Sequence, residues 1–338
     1  MGTILCKRIS LITTLSETVG YKSGLALSSN EMLERLPEFS DVWDGDDQDG
    51  LRIRSENFEE MVANLLYSVG SILSLNPLTP GLKLHKKYGS NPQHIGLVEE
   101  IVALFSEVLP IIRSNQKYPR EPIDLDPFIK IVLERYGAGI PIAIALDFVQ
   151  SLQYAAHINP WSEMRMMEWK DVVELSNLFK SENLATFYGT FFDQRFIDYL
   201  NNNFADIDNI HWRQFEGLTA EYYNREGFHV EIGPGRNDGG IDVRIWPSKD
   251  DVEKPPAILV QCKRQKKKIS KVIVKALWAD IQSENAISGL IVTTNSLSPG
   301  AQKVSTARAY PIQSANRDTL REWITNMRNP HTGVFLGE

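Results

Sequence analysis

The sequence predicts two architectures in series: an α-helical N-terminal domain, then an α/β domain whose mixed sheet core is flanked by helices. Three observations predict this. From Phe58 through much of the first two hundred positions, apolar residues recur at three- and four-residue steps, the period of an amphipathic helix. After Trp212 the pattern becomes short β-rich runs separated by helical stretches. The charge also changes sign there. Asn209 onward holds 18 Lys+Arg against 14 Asp+Glu, a balance of +4, whereas the residues before it hold 18 against 29, a balance of −11. Such an asymmetry assigns different work to the two parts and turns the basic one toward a polyanion.

Length and composition agree. A chain of 338 residues can bury two ordinary cores, and 42% hydrophobic with 23% charged residues is the composition of a globular protein. No run approaches the roughly 18 apolar residues that span a bilayer. The best candidate, Ala138 to Val149, is short and contains Asp147, so it reads as a core helix. Met1 to Arg8 has Cys6 where an N-myristoylation pattern wants Ser or Thr and has no secretory h-region, so it reads as a first strand or helix start. Two cysteines, Cys6 and Cys262, exclude a disulfide framework and fit a reducing cytoplasm.

Taken in order, Leu11 to Leu27 mixes β-branched residues with Ser, Thr and Gly and reads as one or two strands. Asp41 to Asp49 is acidic, but its Gly is misplaced for an EF-hand and it lacks the terminal Glu, so it reads as a solvated loop. A helix follows from Phe58 (Met61, Val62, Leu65, Leu66, Val69), then a Pro/Gly-containing connector over Asn76 to Ser90. A second helix covers Pro92 to Arg113, with Ile95, Val98, Ile101, Val102, Phe105 and Val108 on one side. Gln116 to Pro127 is a Pro-punctuated link. Helices are expected at Phe128–Tyr136, Pro141–Ala156, Trp161–Ser181 and Phe187–Asn203, and the aromatics crowding the end of this region read as core and packing residues. Asn201 to Asn209 reads as a hinge and helix cap. The expected domains are residues 1–204, for recognition or regulation, and 205–338.

In the second domain a helix over Trp212 to Glu226 is expected to stop at Gly227. Strands follow at Phe228–Ile232, Gly240–Trp246 and Ala257–Lys263. Next come a helix over Ser270–Asn285, a strand over Gly289–Thr294, a helix over Pro299–Ala309, a short strand near Ile312, and a final helix over Arg317–Met327. Asp242 sits between Ile241 and Val243 in an apolar run, where an unpartnered carboxylate is costly. Gln261 and Lys263, two apart, project from one face of their strand. Antiparallel pairing of these strands would gather an acid, an amide oxygen and an ammonium around one small volume. That set suits a divalent cation and a water attacking a phosphodiester. Asp238 lies in the turn between the Gly233–Gly235 segment and Gly240, where Asp favours turns. Arg264, Lys266, Lys267, Lys268, Lys271 and Lys275 run from the strand end into the next helix and suit tracking of a phosphate backbone.

Phe215-Glu216, Gly227-Phe228, Asp238-Gly239-Gly240-Ile241-Asp242-Val243, Gln261-Cys262-Lys263 and Leu290-Ile291-Val292-Thr293-Thr294 together resemble the catalytic domain of Mrr-type restriction endonucleases. These form a QxK branch of the PD-(D/E)xK nuclease superfamily. The resemblance runs from near Trp212 to near Met327 and leaves the N-terminal domain unidentified. It implies a restriction-endonuclease-like sheet and an Mg²⁺- or Mn²⁺-dependent endonuclease acting on DNA in bacterial restriction or anti-phage defence. It also implies a homo-oligomer, a dimer or larger. Asp242, the Gln261 side-chain oxygen and the Cys262 main-chain carbonyl are then the metal ligands. Lys263 activates water and steadies charge on the phosphate, and Glu216 stands at the site's edge. RNA or branched DNA is the alternative substrate. A catalytically weak DNA-binding or scaffold module is the alternative of another class, since Gln261 replaces the superfamily's acid.

Overall fold

The computed structural model describes residues 2–75, 79–114, 124–184, 186–235 and 240–328. The expected Gln116–Pro127 link falls largely outside these residues, as does Asp238. The described chain forms two compact units, one of residues 1–67 and 71–172, the other of 68–70 and 173–330. The second unit takes in residues 173–204 as well as the expected α/β domain.

In the first unit, strand β1 (Thr3–Lys7) pairs antiparallel with β2 (Gly50–Arg54). Of the expected strands over Leu11–Leu27 only the short extended pair Leu25–Ala26 forms, and most of the segment is helix α1 (Arg8–Ser23), which buries Leu11, Leu15 and Val19. Their four-residue spacing outweighs the strand preference of the β-branched Ile12, Thr13 and Thr14. The Asp41–Asp49 segment is indeed exposed along residues 45–49. The Arg8 guanidinium is received by the carbonyls of Asp41, Val42 and Asp46 and lies 3.5 Å from the Asp49 carboxylate. Helix α3 (Ser55–Ser68), the next after α2 (Ser29–Arg35), buries the expected stripe of Phe58, Met61, Val62, Leu65 and Leu66.

Within the expected connector lies helix α4 (Pro80–Tyr88). Pro80 opens it, at the one helical position where proline's missing N–H costs nothing. Helices α5 (Pro92–Ser114), α6 (Asp126–Tyr136) and α7 (Ile140–Ile158) close over a shared core. The Phe105 ring meets Phe128 and Phe148 edge-on, each at 5.1 Å between centroids.

The helix expected over Trp161–Ser181 does not form, apart from a short turn of helix, α8 (Leu175–Lys180). The reason lies in Lys22, which is 2% exposed. Its ammonium donates to the carbonyls of Ala156 (3.4 Å), His157 (2.6 Å) and Met164 (3.1 Å). The Met166 N–H goes to His157 Nδ1 instead of to a helical carbonyl. Within the segment the Met164 carbonyl and the Met166 N–H are thereby committed to partners outside a helical ladder. The expected Phe187–Asn203 helix is shorter, α9 (Gln194–Asn202), because the Glu221 carboxylate takes the N–H groups of Thr190, Phe191 and Phe192. Phe192, Phe196 and Tyr199 are packing residues as expected, whereas Phe187 and Trp161 are largely exposed. The expected hinge is a short 3-10 helix over Phe204–Asp208 that buries Phe204 and Ile207.

The second unit then follows the expected order: α10 (Trp212–Arg225), β3 (His229–Ile232), β4 (Val243–Trp246), β5 (Ile258–Lys263), α11 (Lys271–Glu284), β6 (Ser288–Thr293), α12 (Pro299–Ala307), β7 (Ile312–Ala315) and α13 (Arg317–Arg328). The strands lie in chain order in one mixed sheet. β3–β4–β5 are antiparallel and β5–β6–β7 parallel. Parallel neighbours need a crossover, and α11 and α12 supply one each. Leu259 and Ile291 of the sheet pack with Val274, Leu277 and Ile281 of α11 in one apolar cluster. On the other face Cys262 Sγ lies 3.6 Å from Thr219 of α10. Among the described residues no helix is long and apolar enough to cross a membrane, and both cysteines are free.

Candidate active site

The site forms where β4 and β5 part. Their ladder ends at Val243–Val260. Beyond it the Asp242 carboxylate, 7% exposed, accepts the Cys262 N–H at 2.6 Å. The N–H and C=O of one strand residue point the same way, so the Cys262 carbonyl faces the Asp242 side. Gly240 has φ +95°, which favours glycine, and its carbonyl accepts the Gln261 Nε2 at 2.9 Å. That hydrogen bond fixes the amide and leaves Gln261 Oε1 buried with no hydrogen-bond partner among the described residues. An orphaned buried acceptor is rare and costly.

Helix α10 delivers the opposite wall. His211 caps it, its ring accepting the Arg213 N–H at 3.2 Å. Phe215 enters the core, and Glu216, 4% exposed, receives Arg213 Nη1 at 2.7 Å. Between the walls lies a cavity of about 310 Å³, lined by Trp212, Phe215, Glu216, Gly235, Gly240, Asp242, Cys262, Lys263, Arg264 and Gln265.

Asp242, Lys263, Glu216 and Cys262, expected together from the sequence, share this cavity. Gln261 is not among its lining residues; its amide lies behind Gly240. Arg264 lines the cavity, with its guanidinium donating to the Asp208 carbonyl and its Nε buried without a hydrogen bond. Arg317 holds Asp208 through both carboxylate oxygens, at 2.9 and 2.8 Å. Lys266, Lys267, Lys268, Lys271 and Lys275 are exposed, on the loop after β5 and the start of α11. Sequence reasoning missed Arg213, Asp208, Arg317 and the place of Trp212 in the wall. Only the Arg213–Glu216 pair carried a local signal, the three-residue step of a helical ion pair.

The oxygen donors are one carboxylate, one amide and one peptide carbonyl. Among the described residues no three His, Cys, Asp or Glu side chains come together as a metal cluster. Hard, mostly neutral oxygens suit Mg²⁺ or Mn²⁺ and do not suit zinc. Burial pushes the Cys262 thiol well above its usual range, and the neighbouring Asp242 charge adds to the effect.

In the five-stranded mixed sheet Asp242 stands just before β4, and Gln261 and Lys263 lie at the end of the neighbouring β5. Residues 207–324 match the Mrr catalytic family model, described as restriction endonuclease. Among solved structures, the MspJI restriction endonuclease in complex with a 27-mer oligonucleotide aligns at 18% identity and a TM-score of 0.29. The alignment covers 56% of this chain and 46% of that one, so the chain spans less than half of that neighbour's length. A search of curated proteins found no match.

Proposed function

We propose that the protein is a metal-dependent endonuclease that hydrolyses phosphodiester bonds of DNA and serves bacterial restriction or anti-phage defence in the cytoplasm. One observation carries the reading: Asp242 and Lys263 face one cavity beside a buried, unpartnered Gln261 oxygen, in a segment that matches a restriction endonuclease family. Asp242 and the Cys262 carbonyl would hold Mg²⁺ or Mn²⁺ at the cavity, and Gln261 Oε1 would join them only by turning its amide away from the Gly240 carbonyl; the ion when bound supplies positive charge against the phosphoryl oxygens. Lys263 Nζ orients the attacking water and donates to a non-bridging phosphate oxygen as charge grows there. Glu216, steadied by Arg213, accepts a hydrogen bond from that water. Arg264 and the lysines after it hold the flanking backbone and fix its position, not its sequence. Residues 205–338 carry the cleavage and residues 1–204 serve recognition or regulation. A homo-oligomer would bring two such sites to the two strands.

The test is incubation of the purified protein with supercoiled plasmid, linear duplex, single-stranded DNA and RNA, each with Mg²⁺ or with EDTA. Cutting of DNA with Mg²⁺ that EDTA abolishes supports the reading. Cutting of RNA alone moves the substrate to RNA, and cutting of an added four-way DNA junction alone moves it to branched DNA. The absence of any Mg²⁺-dependent cutting favours a DNA-binding or scaffold module. The position of Gln261 behind the cavity wall is the observation that keeps that second reading in play.

A further inference from the structure

We propose that the cavity receives an unpaired nucleotide and that Trp212 is the surface on which its base stacks. The substrate would then be a single strand, or a duplex at a frayed, nicked or otherwise unstacked position. The phosphate orientation rests on the nuclease reading above; the stacking surface does not.

Size is the first argument. The cavity measures about 310 Å³. That volume reaches the range, about 300 Å³ and upward, in which organic ligands are bound. The chemistry of the walls is the second. Lys263 and Arg264 form a cationic side suited to a phosphate, and the aromatic residues Trp212 and Phe215 line the same cavity. Phe215 is 1% exposed and committed to the core, so the half-buried Trp212 is the ring left to offer a face.

Bracing is the third argument. Gly235 approaches the indole so closely that an added Cβ would stand 3.1 Å from Trp212 Cη2 and 3.0 Å from Arg213 Nη1. The His211 ring packs at 5.2 Å between centroids. A ring already held in place loses little freedom when a base lands on it. A base inside a continuous duplex stack cannot reach such a wall unless it leaves the stack.

The experiment measures binding of a short fluorescein-labelled oligo(dT), the matching oligo(U) and a blunt duplex of equal length, in a Lys263→Ala background so that nothing is cut. Trp212→Ala is expected to weaken single-strand binding about tenfold or more and to leave the blunt duplex within about twofold. Trp212→Phe keeps a ring and is expected to stay within about threefold. With unlabelled oligo(dT), the quenching of intrinsic fluorescence seen in the parent should be lost in Trp212→Phe even though binding persists. Unchanged single-strand affinity in Trp212→Ala, or equal losses for single strand and duplex, overturns the inference. Stronger binding of oligo(U) than of oligo(dT) supports it and assigns the unpaired strand to RNA. Loss of the nuclease reading would show separately, as absence of Mg²⁺-dependent cutting by the Lys263-containing parent.

Discussion

Lys263 is the residue on which the proposed chemistry turns. Lys263 lines the cavity two positions after Gln261, at the very end of β5. Lys263→Ala is expected to lower the cleavage rate by roughly 100- to 10,000-fold, the range for loss of one group acting in proton transfer or charge stabilisation. DNA affinity, measured by filter binding, should change by no more than about threefold. Arg213 is a positioning residue and acts only through Glu216. Arg213→Ala leaves a carboxylate that is 4% exposed without its 2.7 Å partner. We expect about 1–3 kcal/mol less stability in chemical denaturation and a fall in kcat with KM nearly unchanged, with partial rescue by Arg213→Lys. At this scale the expected residues Asp242, Lys263, Glu216 and Cys262 meet at one cavity, and Gln261 does not line it. Arg264 was read as a phosphate contact, and its tie to the Asp208 carbonyl joins residues 56 apart in the chain.

Among the elements, the β4–β5 opening is the part most exposed to small changes. Gly240 has φ +95°, and a Cβ there would stand 3.3 Å from Gln261 Nε2. Gly240→Ala is expected to cost about 1–2 kcal/mol in thermal or denaturant melts and to abolish most cleavage by displacing the Gln261 amide. Gly240→Asn, which tolerates positive φ better, should lose less of both. Secondary structure was legible wherever the apolar period was strong and uninterrupted. The stripe of α3 falls on the expected residues and that of α5 on Val98, Ile101, Phe105 and Val108, and the five strands lie in the expected order, the second starting at Val243 instead of Gly240. The expectations failed where distant partners took over the backbone. Lys22 claims the carbonyls around His157 and Met164, and Glu221 claims the N–H groups before α9. Nothing in residues 157–192 reveals that competition.

For the whole molecule, two bulk properties follow from charge. The basic balance from Asn209 onward, with five exposed lysines after β5, predicts steep salt dependence of DNA binding. Replacing Lys266, Lys267 and Lys268 together by alanine should weaken binding to all sequences alike. It should also flatten the slope of log affinity against log salt by up to about three. Stability should respond to acid through His157. Its ring is buried, with Nδ1 accepting the Met166 N–H and Nε2 meeting Ser71 Oγ at 2.9 Å. Burial first, and the nearby Lys22 charge second, push its pKa down to about 3. Above the ordinary imidazole value of about 6.5 neither the folded nor the unfolded chain holds the proton, and this contribution is fully present. As pH falls from there toward 3 the unfolded chain takes the proton and the folded one refuses it. Stability then drops by a total of roughly 3–5 kcal/mol. His157→Gln should flatten that part of a denaturation-against-pH profile, and an unchanged profile would remove His157 as its cause.

By itself the sequence determined the two-part architecture, the strand order and the cluster of catalytic candidates. Each of these is written in local periods and spacings that neighbouring residues enforce on one another. The tertiary structure alone decided that the Gln261 amide turns behind Gly240, that Asp208 is held by Arg317 and receives Arg264, and that Trp212 shares a cavity with Lys263. Those facts depend on which surfaces meet when helix and sheet close on each other. A contact of that kind between residues far apart in the chain leaves no mark in the spacing of either one.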